Sequence, residues 1–229
     1  MNLLAVRHGQ AAFDAADYDQ LSERGHEQTR RLGAWLLAQD LRFDRVVTGT
    51  LRRHAQSLAA IAAVYAEAGL RLPEPELEPG FDEFDHRRVL QAFAAHAPDH
   101  PAVRAAAAGR PSLREIGALL DAALSHWVSG VLDAACEPWM AFRERARAAG
   151  TRWAAHCCEA SVLLISSGGV ISQLAAAALD VPDQRAVQLN LSLRNSALSE
   201  FHAGPDGLRL ASWNALPHLA DARELWTYV

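Results

Sequence analysis

Two things are scarce in this sequence: cysteine and long apolar runs. The cysteines, Cys136, Cys157 and Cys158, are odd in number and lack the spacing of a zinc site, which favours reduced thiols in a cytoplasmic protein. No apolar run approaches the ~18 residues that a membrane-spanning helix needs. The first apolar stretch begins at Leu3, which leaves no room for a cleavable signal peptide. The sequence therefore predicts a soluble, cytoplasmic protein.

An excess of positive charge is also absent. The net charge of −5 argues against nucleic acid or a membrane as a partner, so any anion site must be local, with a few arginines in one cleft. The 229 residues, half of them apolar, suffice for one α/β domain with a sizeable insertion. Neither a metal nor a cofactor is expected, and the sequence does not indicate an oligomeric state.

A short apolar stretch at residues 3–6 is followed at once by Arg7, His8 and Gly9. Four apolar residues of this kind are typical of a short buried strand. A parallel strand that ends in a cation, an imidazole and a glycine delivers them to the carboxyl edge of its sheet, where open α/β folds bind ligands. The N-terminal segment therefore predicts a ligand site at the end of the first strand.

Two later segments repeat this order of strand, turn and helix. A strand at 44–48 runs through a Gly-Thr turn into a helix at 51–65 that carries two arginines in its first turn. A strand at 162–165 is followed by Ser-Ser-Gly-Gly at 166–169 and another helix. In a parallel sheet the three turns share one edge and supply guanidiniums, an imidazole, hydroxyls and a helix N-terminus. That combination suits a phosphate group, because guanidiniums bind phosphoryl oxygens bidentately and helix N-termini favour anions.

The rest of the chain completes an α/β pattern. Apolar spacing and turn residues predict a helix at 23–38 with Ser22 as its N-cap, a short strand around 76–77, and a strand pair at 197–201 and 208–213.

A long helical stretch separates the strand at 76–77 from the strand at 162–165. After an acidic and aromatic run at 80–85, the chain reads as helical to about residue 158, with a capping-box pattern at Ser112 and Glu115. We expect a single domain over 1–229, a three-layer α/β/α sandwich with a mostly parallel central sheet. The helical insertion, at about 84–158, would lie over the active-site edge as a lid.

Three blocks of the sequence, in register with one another, resemble the histidine phosphatase superfamily, also called phosphoglycerate-mutase-like. They are Arg7-His8-Gly9, the Leu51-x-Arg53 turn, and Ile-Ser-Ser-Gly-Gly-Val-Ile at 165–171. The resemblance covers nearly the whole chain. It implies a metal-independent phosphatase that hydrolyses a small phosphorylated metabolite through a phosphohistidine intermediate.

The resemblance also implies roles for the residues that match its motifs. His8 would be the nucleophile that accepts the phosphoryl group. Arg7 and Arg53 would clamp the phosphoryl oxygens, and Ser167 and Gly168 would bind phosphate at the start of the helix that follows the third strand.

The proton donor of the family is an acidic residue early in the insertion. Glu83 matches this position best, and Asp82 and Glu78 remain alternatives. In the implied reaction Glu83 is kept protonated by partial burial, protonates the leaving oxygen, and then deprotonates the water that releases phosphate.

Two positions depart from the family pattern. Ser167 stands where a second histidine is usual, and Asp14 stands where many members carry asparagine. Losing one donor to the transferring phosphoryl group would cost about 2.7–4 kcal/mol, or ~10²–10³ in rate. His54 adjoins Arg53, but helix neighbours face different directions, so His54 is not favoured as the replacement.

The departure at Ser167 keeps other functions open. One alternative is a catalytically degenerate protein that binds a phosphorylated ligand, and another is a phosphotransferase of the phosphoglycerate mutase type. Retention of His8 and Glu83 favours an enzyme, because a pure binder needs neither a nucleophile nor an acid. A serine-hydrolase elbow at Ser167 is disfavoured, because its required glycine is replaced by Ile165.

Overall fold

The computed structural model describes residues 2–12, 19–109, 112–132, 134–157, 160–204 and 207–228. Asp14 and Cys158 lie outside this described part of the chain. Within it, strands and α-helices follow in this order: β1 (Leu3–Arg7), α1 (Glu23–Ala38), β2 (Arg45–Thr48), α2 (Arg52–Glu67), β3 (Pro75–Leu77), α3 (His86–His96), α4 (Pro101–Ala107), α5 (Leu113–Val128), α6 (Trp139–Cys157), β4 (Val162–Ser166), α7 (Gly168–Ala178), α8 (Asp183–Ser192), β5 (Leu198–Gly204) and β6 (Gly207–Ala215).

One six-stranded sheet, ordered β3-β2-β4-β1-β5-β6, forms the centre of the fold. The strands from β3 to β1 pair in parallel, whereas β5 pairs antiparallel with both β1 and β6. The predicted, mostly parallel sheet is therefore confirmed. The register places Arg7 opposite Ser166 and Thr48 opposite Ile165, so β1, β2 and β4 end at the same edge.

Helices cover both faces of the sheet because successive strand residues point to opposite sides. On β1, Leu4 and Val6 belong to a core cluster shared with α1 and α2. Leu3 and Ala5 belong to a larger cluster shared with the helices from α3 to α8. These two cores, one on each face, confirm the three-layer α/β/α sandwich.

The chain between β3 and β4 is helical, as predicted, with an irregular segment in front of it. A 3₁₀ turn at Pro79–Phe81 and the residues after it lead into α3. The Phe84 ring packs 4.5 Å from that of Trp127 and 5.2 Å from that of Phe142, measured between ring centres. These contacts fasten the segment that carries Glu83 to α5 and α6.

Two helix caps predicted from the sequence are present, and three tryptophans of the helical region are buried. Ser22 accepts a hydrogen bond from the Gly25 backbone N–H at the start of α1, and Ser112 and Glu115 form the expected capping box on α5. The side chain of Trp127 is fully buried, and those of Trp139 and Trp153 are nearly so.

The sequence-based prediction missed α8, which packs against α7 and α5. Only Ala186 and Val187 of its residues are buried, so its apolar spacing is too sparse to indicate a helix. None of the helices in the described ranges combines the length and the apolar character of a membrane span.

Candidate active site

Three side chains from three different elements meet at the shared sheet edge. His8 follows β1, Arg53 lies in the first turn of α2, and Ser167 is the N-cap residue of α7. Arg53 joins the other two: its Nε lies 3.1 Å from His8 Nε2, and its Nη2 lies 3.3 Å from Ser167 Oγ. The parallel pairing of β1 and β2 with β4 is what brings residues so distant in sequence together.

The imidazole of His8 is held in one orientation and one protonation state. Its Nδ1 lies 2.6 Å from the Gly9 carbonyl oxygen, and because a carbonyl can only accept, Nδ1 carries the hydrogen. Burial, with the charges of Arg53 and Arg7, holds the pKa of His8 well below its usual value. The ring is therefore neutral, with the Nε2 lone pair on the side of Arg53.

Arg7 lies against the start of α7. Its Nη1 donates to the Leu193 carbonyl oxygen. A Cβ added to Gly168 would lie 3.4 Å from Arg7 Nε and 2.4 Å from Asn190 Oδ1. Glycine at 168 therefore leaves the room for the Asn190 side chain, next to the Arg7 guanidinium.

The two arginines at the start of α2 have opposite surroundings. Arg52 is exposed, whereas Arg53 is 7% exposed and forms an ion pair with Asp19 at 2.8 Å. Arg53, the arginine of the Leu51-x-Arg53 block, is therefore the one that lies at the sheet edge beside His8. Asp19 was missed by sequence reasoning, because it lies in a loop whose sequence predicts no regular structure.

Glu83 is bound to the start of the same helix, α7. Its Oε2 accepts a hydrogen bond from the Gly169 backbone N–H at 2.9 Å. A Cβ on Gly169 would lie 2.2 Å from Glu83 Oε1, so only glycine permits this contact. Burial raises the pKa of Glu83, although the Gly169 N–H and the nearby arginines Arg53 and Arg7 oppose the rise. The carboxyl group is thus prepared to hold a proton.

The two alternative acids are engaged elsewhere. Asp82 accepts hydrogen bonds from the Thr50 hydroxyl, at 2.6 Å, and from the Thr50 backbone N–H. Glu78 forms an ion pair with Arg152 at 3.0 Å and caps the turn at Gly80. Of the three carboxylates, Glu83 is the one that bonds to the first turn of α7.

His54 reaches the same side chain as Arg53, although neighbours on a helix were expected to face different directions. Its Nε2 lies 2.7 Å from Ser167 Oγ, and its ring centre lies 5.7 Å from that of His8. Both Arg53 and His54 are buried and reach Ser167, because the first turn of α2 lies directly over the sheet edge. No local signal in the sequence distinguishes this placement from a solvent-facing histidine.

A second group of histidines lies away from this edge, around α5. The ring centres of His96 and His100 lie 6.1 Å and 6.0 Å from that of His126. Within the described ranges, however, no three His, Cys, Asp or Glu side chains are arranged to hold a metal ion.

The motifs that build this site extend along the whole chain. A sequence profile of the histidine phosphatase superfamily (branch 1) matches residues 3–216. The chain belongs to this superfamily. The resemblance of the three sequence blocks is thereby confirmed at the level of the family.

This member of the histidine phosphatase superfamily shares part of its sequence with a phosphoglycerate mutase. It is 34% identical over 74 residues to the 2,3-bisphosphoglycerate-dependent phosphoglycerate mutase of Methylorubrum populi, a match that covers 30% of this chain and 35% of the relative. The match therefore spans about a third of that relative's length.

Two solved structures are similar over nearly the full chain. Phosphoglycerate mutase from Bacillus anthracis has a TM-score of 0.63 at 18% identity and covers 95% of this chain and 94% of its own. A mutant phosphoserine phosphatase from Entamoeba histolytica, in complex with phosphoserine, has a TM-score of 0.63 at 15% identity, with 95% and 98% covered. At such identities the likeness establishes the fold.

Proposed function

We propose that this protein is a phosphatase that hydrolyses a small phosphomonoester through a phosphohistidine on His8. The observation that carries the proposal is the buried, neutral imidazole of His8, whose Nε2 lies 3.1 Å from a guanidinium nitrogen of Arg53. A neutral imidazole beside fixed cations can attack phosphorus, and the cations stabilise the phosphoryl oxygens. The named neighbours, a phosphoserine phosphatase and phosphoglycerate mutases, support phosphoryl chemistry of this kind.

In the first step the Nε2 lone pair of His8 forms a bond to phosphorus, and the bond from phosphorus to the leaving oxygen breaks. The carboxylic proton of Glu83 passes to that oxygen, and the alcohol departs. The Gly9 carbonyl, which accepts the Nδ1 hydrogen, supports the positive charge that the phosphorylated ring acquires. Substrate oxygens compete for the donors of Arg53, which frees Nε2 to react.

In the second step water replaces His8 at phosphorus. The Glu83 carboxylate takes a proton from the attacking water, the N–P bond breaks, and its electron pair returns to Nε2. Phosphate leaves, and both residues are back in their starting protonation states. The contact of Glu83 with the Gly169 N–H, at 2.9 Å, holds the carboxyl group at the phosphoryl site through both steps.

The single-domain organisation and the lid function of residues 84–158 remain part of the proposal. What supports them is the aromatic packing that ties Phe84, next to Glu83, to Trp127 and Phe142. Movement of the helices α5 and α6 would thereby move the proton donor.

The test is a panel of phosphomonoesters assayed with EDTA, followed by acid-free quenching of a turning-over sample and detection of phosphohistidine. Wild-type protein should carry the phosphoryl group of the substrate on His8. The N–P bond of that phosphohistidine should hydrolyse in acid, as phosphoramidates do. His8→Ala should abolish turnover but keep the fold and weak phosphate affinity, because Arg7 and Arg53 remain.

Near wild-type hydrolysis by a folded His8→Ala variant would overturn the phosphohistidine mechanism. Phosphate binding by the wild type without turnover on any substrate would favour the alternative of a phospho-ligand binder. Transfer of the phosphoryl group from His8 to a phosphoglycerate molecule, rather than to water, would favour the mutase alternative.

A further inference from the structure

His54 is buried beside the proposed nucleophile without a role in the reaction described above. Its ring is fully buried in the first turn of α2, and its centre lies 5.7 Å from that of His8. Its Nε2 lies 2.7 Å from Ser167 Oγ, while its Nδ1 lies on the side of the Gly49 backbone, which raises the pKa of the ring against the larger lowering effect of burial. Burying a polar ring costs free energy unless it is hydrogen-bonded, so the Ser167 contact is one of the interactions that hold the ring in place.

Ser167 is unusual for a residue at the start of a helix. It is the N-cap residue of α7 by its backbone, yet within the described part of the chain its hydroxyl makes no capping hydrogen bond. The hydroxyl contacts Arg53 Nη2 at 3.3 Å and His54 Nε2 at 2.7 Å instead. A residue type that normally caps is therefore used for a different purpose.

The numbers of hydrogen bonds that the Ser167 hydroxyl can donate and accept limit its possible partners. A serine hydroxyl has one hydrogen and accepts two hydrogen bonds, and a guanidinium can only donate. When Nε2–H of His54 also donates, both acceptor positions of Oγ are occupied. The serine hydrogen is then used by neither contact and is available to an oxygen of a phosphoryl group bound beside His8 and Arg53.

We propose that His54 is a positioning residue of the phosphoryl site, which donates from Nε2 to Ser167 Oγ and so directs the Ser167 hydroxyl hydrogen at the phosphoryl group. The inference rests on the proposed function only in taking phosphate as the anion that the hydroxyl meets. Members of the family usually have a histidine donor at the position of Ser167. In this protein His54 and Ser167 together would supply that donor.

The Gly49 backbone beside Nδ1 favours the opposite tautomer of His54 in the empty site, but that tautomer is unfavourable once an anion is bound. With its hydrogen on Nδ1, the ring would accept the Ser167 hydrogen and leave an oxygen lone pair facing the phosphoryl oxygens. Two oxygen lone pairs repel each other, so a bound phosphate selects the tautomer with hydrogen on Nε2. The tautomer is directly observable, because the two ring nitrogens have different ¹⁵N chemical shifts when one carries the hydrogen.

The first experiment measures the affinity for inorganic phosphate, which does not require turnover. His54→Leu removes the donor and should weaken phosphate binding by about tenfold, equivalent to about 1.4 kcal/mol. His54→Gln places an amide N–H near the position of Nε2 and should stay within about threefold of wild type. His202→Leu is the control. His202 lies on β5 and contacts Asn2, at the end of β1 opposite to His8.

The second experiment tests whether His54 acts through Ser167. In a Ser167→Ala background, His54→Leu should change phosphate affinity by less than about twofold, because residues that act as one unit are not additive. Full additivity of the two changes would overturn the proposal. Equal weakening by His54→Gln and His54→Leu, in variants with the wild-type melting temperature, would overturn it as well.

The ¹⁵N measurement uses wild-type protein and so does not depend on any variant folding. Hydrogen on Nε2 of His54 in the phosphate complex supports the proposal, and hydrogen on Nδ1 in that complex overturns it. If His8 is never phosphorylated but the His54 and Ser167 substitutions are non-additive, the hydrolase proposal fails and the role of His54 stands. If His8 is phosphorylated and the two substitutions are additive, the role of His54 fails and the hydrolase proposal stands.

Discussion

Arg52 and Arg53 are neighbours in the chain with opposite surroundings, and they provide a matched pair of substitutions. Arg53 is 7% exposed and contacts both His8 and Ser167, whereas the Arg52 side chain is exposed. Removing a buried charged donor costs about 1.5–3 kcal/mol, so Arg53→Ala should weaken phosphate binding by ~10-fold to ~150-fold. Arg52→Ala should change it by less than about fivefold, as exposed charges contribute ~0–1 kcal/mol. Inorganic phosphate as a competitive inhibitor measures both, and equal losses would contradict the placement.

Glu83→Gln separates proton donation from simple positioning. The amide oxygen can still accept the Gly169 N–H, so the fold should remain, but the variant has no proton to give. General acid catalysis contributes ~10²–10⁴, and kcat/KM for an alkyl phosphate should fall by that amount. With p-nitrophenyl phosphate, whose leaving group needs no proton, the fall should stay below about tenfold.

The pH profile and a control variant check the same assignment. Glu83 must be protonated and its pKa is raised above 4.5, so kcat/KM should fall as the pH rises through that raised value. His8 must be neutral and its pKa lies well below 6.5, so kcat/KM should fall as the pH drops through that lowered value. Glu83→Gln should lose the alkaline limb of the profile and keep the acid limb.

Glu78→Gln is the control variant for the acid assignment. It breaks the ion pair with Arg152 and should change kcat/KM for the alkyl phosphate and for p-nitrophenyl phosphate by the same factor.

The start of α7 depends on glycine, and the contrast with an exposed helical glycine gives a prediction at the scale of the element. In Gly169→Ala the new Cβ would meet Glu83 Oε1 at 2.2 Å and Phe84 Cε1 at 2.9 Å, so the carboxyl group must move off the Gly169 N–H. We expect phosphatase activity to fall by at least ~10²-fold, because a misplaced catalytic group costs that much.

Gly117 on α5 is the control for this substitution. It is exposed, and an added Cβ meets nothing within 4 Å. Gly117→Ala should raise the free energy of unfolding by about 0.4–1 kcal/mol, because alanine favours the helix and restricts the unfolded chain. Thermal unfolding and hydrolysis assays compare the two variants. Unchanged activity in Gly169→Ala would show that Glu83 does not need this backbone contact.

The tolerance of the whole molecule to acid depends on histidines that are buried as neutral rings. Burial, with the charge of Arg31, lowers the pKa of His218 from 6.5 to about 3, and its Nε2 lies 2.9 Å from Ser196 Oγ. The unfolded chain binds this proton below its own pKa, so stability is lost as the pH falls below 6.5. At about pH 4.5, two units below that value, the loss from this one residue is about 2.7 kcal/mol.

His218→Gln removes this proton site and can keep the hydrogen bond to Ser196. Urea unfolding at neutral pH and near pH 4.5 should show a pH-dependent loss of stability that is smaller by about 2–3 kcal/mol than in wild type. The exposed His26→Gln should lose as much stability as wild type. A variant with the wild-type loss would show that His218 is protonated in the folded protein.

Local signals explain why so much of the fold could be predicted. Ser22 and the Ser112–Glu115 pair mark the starts of α1 and α5, because a capping side chain satisfies backbone N–H groups within three residues of itself. The apolar runs of β1 and β4 likewise indicate buried strands without reference to the rest of the chain. The helix α8 has no such local signal. Its packing against α7 and α5 is what stabilises it.

The sequence by itself determined the three strand-turn-helix units and the family. The tertiary structure decided which side chains meet at the sheet edge. His54 bonds to Ser167 across 113 positions, Arg7 to the Leu193 carbonyl across 186, and Arg53 to Asp19 across 34. These contacts follow from the order of the strands in the sheet, β2 beside β4 and β4 beside β1. Strand order comes from long-range packing of two cores, which no single stretch of sequence contains.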